Sequence, residues 1–159
     1  MIAATAWGQS EQLFTHYMFN RLNFNPAYAG SKDVLDAGAI YRNQWWSGIE
    51  GAPRTLNVYA HMPFAGLRNG IGINLISDKI GLDKVTSIGL NYAYRIPLGR
   101  KAKLAIGLNG RFEGARADWT QANAGVNIPD TGFGNDAETT STFNAGAGVY
   151  YTHPNFYLG

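Results

Sequence analysis

The chain has no cysteine, few charged residues and no long apolar run, and each absence removes a class of protein. Without cysteine there is no disulfide scaffold, no thiolate metal site, no cysteine nucleophile and no lipoprotein-type acylation. No stretch of about eighteen apolar residues occurs, so no helix is expected to span a bilayer, and a membrane location would require strands. Charged residues make up 15% of the chain, well below the usual level of about a quarter. The formal net charge is +2, and lysines and arginines are scattered rather than gathered in the stripe that nucleic-acid binding needs. Chemistry is equally sparse. His16, His61 and His153 lie far apart with no metal-ligand spacing, and no serine sits in a nucleophile-elbow context. Asp130, Asp136 and Glu138 lack EF-hand spacing and read as a solvated acidic stretch. "GIGINL" has Leu75 where a dinucleotide fingerprint needs its third glycine. No enzyme activity, cofactor or metal is expected.

What the chain has in quantity is glycine, 20 residues, and aromatic side chains, 13%. From Val34 onward it breaks into short segments of alternating apolar and polar residues, separated by Gly, Pro, Asn, Asp and Lys clusters. Leu35, Ala37, Ala39 and Tyr41 oppose Asp36, Gly38 and Arg42; Leu56, Val58, Ala60 and Met62 oppose Thr55, Asn57, Tyr59 and His61. The same pattern recurs in "GIGINLIS", "TSIGLNYAYRI", "KLAIGLNGRFEG" and "TFNAGAGVYYT", and "NFYLG" reads as the start of a further strand. This predicts six strands and the beginning of a seventh. The connections "RNG" and "LGRKAK" are tight, whereas the stretch from about 117 to 140 is long and polar. One-faced strands in an up-and-down meander, with aromatics near strand ends, match an antiparallel transmembrane β-barrel. A soluble sandwich or lipocalin-like barrel shares the alternation with the apolar face turned inward. The low charge favours the membrane barrel, because the polar faces carry mostly Asn, Gly and Thr rather than solubilising Lys and Glu. Six or seven strands do not close a barrel, since membrane barrels of one chain start at about eight. The chain therefore reads as the N-terminal portion of a longer barrel.

Before the strands lies "YMFNRLNFNPAYAGSKDVL", residues 17–35, rich in aromatics and asparagine and interrupted by Pro26 and Gly30. Taken with "YRNQWWSGIEGAPRTLNVYAHMPF", "GIGINLISDKIG", "NYAYRIPLG" and "KLAIGLNGRF", in this order and spacing, it resembles the PorP/SprF family of outer-membrane proteins associated with type IX secretion in Bacteroidota. The resemblance runs from about Gln12 to the last residue, and Trp46-Ser47 departs mildly from the family's usual step. It implies a non-enzymatic barrel in the outer membrane, exported through the periplasm, and it implies gliding or secretion partners. These would be components of the type IX machine, a large secreted adhesin engaged through its C-terminal domain, or both.

The expected organisation follows. Residues 1–9 read as the remnant of a secretory signal peptide (a frayed terminus being the alternative), 10–32 as a periplasmic segment or plug, and 33–159 as the first part of the barrel. Plug or partner-binding candidates are Tyr17, Phe19, Phe24, Asn25, Pro26 and Tyr28, with Trp45, Trp46 and Arg54 as a second group. Consecutive tryptophans at a strand end also fit interface anchors for the bilayer lipid. Asp36, Arg42, Arg95, Arg111 and Glu113, all on the polar faces, are expected to form a charge lattice inside the barrel; a passive or selective pore is the alternative use of such a lining. Leu90 is expected to face lipid and Asn91 the lumen, so that arginine is costly at the first position and mild at the second.

Overall fold

In the computed structural model, residues 20–44, 51–99, 101–117 and 138–159 are described. The expected signal remnant, Tyr17, Phe19, Trp45, Trp46 and most of the long connection lie outside them. Seven strands form one sheet: β1 (Asp36–Asn43), β2 (Arg54–Phe64), β3 (Asn69–Ile80), β4 (Asp83–Leu98), β5 (Ala102–Ala117), β6 (Glu138–His153) and β7 (Phe156–Leu158). They are ordered as in the chain, β1 to β7, with every neighbouring pair antiparallel. The result is an all-β half-barrel.

The strands run further than apolar alternation suggested. "SDKIGLDKV" continues β3 into β4 through a two-residue turn, with Gly81 at φ +60° where a side chain would be strained. Past Ile76 the outer face carries Ser77, Lys79, Lys84 and Thr86 and the inner face mixes Asp78 and Asp83 with Ile80 and Val85, so the hydrophobic alternation is lost while the backbone ladder persists through Ile80 opposite Asp83. The same holds for the outer ends of β5 and β6, which pair from Ala117 opposite Glu138 inward.

Side chains sort cleanly by face. Val58, Leu75, Ile88, Phe112 and Phe143 stand side by side across β2–β6, and so do Met62, Ile71, Tyr92, Leu108 and Ala147. The large side chains of both rows are exposed, Leu90 between them at 63%. From Ile88 to Ile96 along β4 is about 27 Å at roughly 3.4 Å per residue. Allowing for strand tilt, this is close to the ~25 Å apolar band of membrane barrels. Aromatics mark one margin of the band, where Phe64 packs against Tyr92 and Tyr151 against Phe156. The other face is polar, and it is the one that is covered: Asn57, Asn74, Asn91, His61 and Arg95 are all buried. What covers them is the chain's own residues 20–33.

Candidate functional site: the inner face and the segment laid on it

Residues 20–33 are built from local capping rather than from a long element. Asn20 and Asn25 each accept a hydrogen bond from a backbone N–H two or three residues ahead. They thereby start two single-turn 3-10 helices, Arg21–Asn23 and Pro26–Tyr28. Pro26 and the left-handed Gly30 end each run before an α-helix can form. Such a segment leaves backbone groups unpaired, and the sheet supplies their partners.

The fit depends on a row of small residues. In register across four strands stand Gly70, Ala93, Gly107 and Gly148, with Pro63 at the end. "NPAYAG", residues 25–30, runs along this row. A methyl group on Gly148 would overlap Asn25, one on Gly107 would overlap the backbone of Pro26 and Ala27, and one on Gly70 would overlap Ala29. Only glycine lets a second backbone approach a strand so closely. Ala27, Ala29, Ala93 and Ala105 are fully or almost fully buried in this contact, and so is Leu22, which packs on Gly72.

Polar side chains flank the row and hold the segment at its turns. Asn20 Nδ2 donates to Asn57 Oδ1 (2.9 Å) and Asn25 Nδ2 to the carbonyl of Val149 (2.9 Å). The Gly30 peptide is gripped on both sides: its N–H donates to His61 Nδ1 (3.1 Å), and its carbonyl accepts from Arg95. Since Nδ1 accepts, the imidazole proton sits on Nε2, 3.1 Å from Asp36 Oδ2. Arg95 and Lys103 also reach Asp33, at 2.7 and 2.6 Å. Burial alone would raise the Asp33 carboxyl, but the Lys103 and Arg95 cations outweigh it and hold the group below the ordinary carboxylate range. Arg111 donates to the carbonyl and side chain of Asn23. Tyr28 packs edge-on against His61 and Tyr150, and Arg21 lies 4.2 Å from the ring of Tyr157.

The described candidates therefore fall into distinct places. Asn25, Pro26 and Tyr28 lie in the contact between segment and sheet, whereas Phe24 is half exposed. Arg95 and Arg111 direct their guanidinium groups to the segment, and Asp36 meets His61 and Lys32. Arg42 and Glu113 share the inner face, while Arg54 stands at the start of β2 on the outer face. Asn91 faces inward as expected, and it is also buried, donating to Asn74 and accepting from Asn109 at 2.7 and 2.9 Å. An arginine there would break an amide ladder beneath the segment, so the substitution is not mild. Sequence reading missed Leu22, His61, Asp33 and Lys103 as contact residues. The available signal was the recurrence of Gly or Ala at one register position on four polar faces.

The family model for the type IX secretion system membrane protein PorP/SprF matches residues 6–159. The chain belongs to this family. Comparison with curated proteins and with solved structures finds no match. Membership fits an all-β chain whose large apolar side chains face outward, and it makes the protein a type IX secretion membrane component. Among the described residues no group of histidines, aspartates and glutamates could hold a metal ion.

Proposed function

We propose that this protein is a non-enzymatic outer-membrane barrel of the type IX secretion system whose lumen is occupied by its own residues 20–33. It works by binding other proteins, supporting the export or surface attachment of a secreted cargo or adhesin. The observation that carries this reading is the docking of the segment across β2–β6, which engages Arg95 and Arg111. In a selective pore such guanidinium groups would line free solution. Here they hold protein backbone, which favours a scaffold over a conduit. In a barrel of usual topology a segment that precedes the first strand starts on the periplasmic side, which supports placing the Gly30–Asp33 end of the sheet there.

Two experiments test the proposal. Affinity capture of the full-length protein from detergent-solubilised cell envelopes should bring down a secretion-machine component or a large secreted protein; recovery of neither would sink the partner-binding claim. In planar bilayers the wild type should show no steady open state. Gly107→Val, which drives a side chain into the Ala27 backbone, should produce one. A wild-type protein that already conducts steadily would turn the reading toward a porin.

A further inference from the structure

Outward-facing charge on the described strands is not scattered. Arg54, Lys79, Lys84 and Arg116 are opposite one another in successive pairs, Arg54 with Lys79, Lys79 with Lys84, and Lys84 with Arg116. They form one continuous row over β2–β5. All four are exposed and share the parity of the apolar face. The remaining strand lysines and arginines, Arg42, Arg95, Lys103 and Arg111, have the opposite parity. Among the described side chains no aspartate or glutamate faces outward, and none of the four pairs with a carboxylate. Like charges directly opposite on neighbouring strands repel, and an anion lying across the row would relieve that repulsion.

Its height says which anion. The row lies two register steps beyond Val58, Leu75, Ile88 and Phe112, separated from them by Leu56, Ser77, Thr86 and Gly114. It is thus about 13 Å along the strands from the last full apolar row, at roughly 3.3 Å per residue. In a barrel this is where hydrocarbon gives way to headgroups. Four strands at about 4.8 Å spacing make the row roughly 14 Å long. It sits at the end of the sheet away from Gly30 and Asp33, the end at which β5 and β6 pair from Ala117 opposite Glu138.

We propose that Arg54, Lys79, Lys84 and Arg116 form a binding stripe for the phosphate groups of outer-leaflet glycolipid. This rests on the outer-membrane placement proposed above. The lipid phosphates neutralise the row and set the barrel's depth and tilt in the outer leaflet. Lysine and arginine are suited to this by charge and by multiple N–H donors to phosphate oxygens.

The test uses the full-length protein, first inserted into phosphatidylcholine vesicles and then titrated in detergent with diphosphorylated lipid A. Dephosphorylated lipid A and inorganic phosphate are the comparison probes. The wild type should retain diphosphorylated lipid A about tenfold more tightly than the variant Arg54→Gln/Lys79→Gln/Lys84→Gln/Arg116→Gln. Both proteins should treat dephosphorylated lipid A alike, and inorganic phosphate should compete only weakly. Equal retention by the two proteins overturns the stripe, and equal affinity for inorganic phosphate overturns its assignment to lipid. If the fourfold variant does not fold, the pair Lys79→Gln/Lys84→Gln should lose part of the preference, and the charge-preserving pair Lys79→Arg/Lys84→Arg should keep it. Failure of the wild type to enter any vesicle would instead refute the membrane placement.

Discussion

Asp33 shows how few side chains fasten the N-terminal segment. It sits at φ 60°, a conformation that aspartate tolerates better than most residues, with its two carboxylate oxygens on different cations. Because its carboxyl is held below the ordinary range, its contribution is present above the pKa of the free carboxyl and is lost as pH falls through the lower folded value. A spin label at the half-exposed Phe24 should therefore stay immobile at neutral pH and gain mobility only below the ordinary carboxylate range. Asp33→Asn should remove that acid step and raise mobility at neutral pH; an unchanged acid step would assign it to another group. Lys103→Ala should cost only about 0.5–1 kcal/mol, since this partner is half exposed and screened. At this scale the sequence was half legible. Arg95 and Asp36 were visible as polar residues facing inward, because alternation alone places them. Their partners were not, since Lys103 is 70 residues from Asp33 and His61 is 31 from Gly30. No local pattern reports such distances.

Elements were more legible than contacts. Period-two alternation located six strands, because each is apolar on one face through the band, and "NFYLG" marked the start of the seventh. It failed at the strand ends, where Asp78, Lys79, Asp83 and Lys84 break the alternation yet the ladder continues. It also read Gly107 and Gly148 as ordinary members of the polar face and Gly70 as part of the "RNG" turn, since a glycine's purpose depends on what approaches it. The two faces nevertheless make opposite demands that can be measured. Leu90→Arg, on the exposed apolar face near mid-band, should lower stability by about 2–4 kcal/mol in lipid-vesicle unfolding. It should leave segment docking intact. Asn91→Arg, one residue away, should release the segment by displacing the Asn74–Asn91–Asn109 ladder. Segment release by Leu90→Arg, with docking intact in Asn91→Arg, would mean the faces are reversed.

For the whole molecule, outside and inside are specified by different chemistry. The outer surface is a band of large apolar side chains with a basic row beyond one margin, and that exposure is compatible with lipid rather than water. The inner surface is a small-residue row flanked by asparagine, histidine and arginine, complementary to "NPAYAG". The stretch "NPAYAG" is thus one half of an internal fit, with the strand glycines as the other half. On the proposed reading, a barrel that fills its own lumen leaves its rims, loops and outer wall for partners and lipid.

The most direct test is a cross-link between the two halves of that fit. A Cβ at Gly148 would lie 3.1 Å from Asn25 Cγ, which brings the two positions within disulfide reach. Residues 1–159 contribute no native cysteine to compete, and any cysteine in the rest of the full-length protein is first replaced by serine. The full-length protein carrying Asn25→Cys and Gly148→Cys should form an intramolecular disulfide on mild oxidation in native membranes. The pair Asn25→Cys and Leu90→Cys, with Leu90 on the opposite face, should not. Efficient cross-linking to position 90, or none to position 148 in the folded, membrane-inserted protein, would contradict the account.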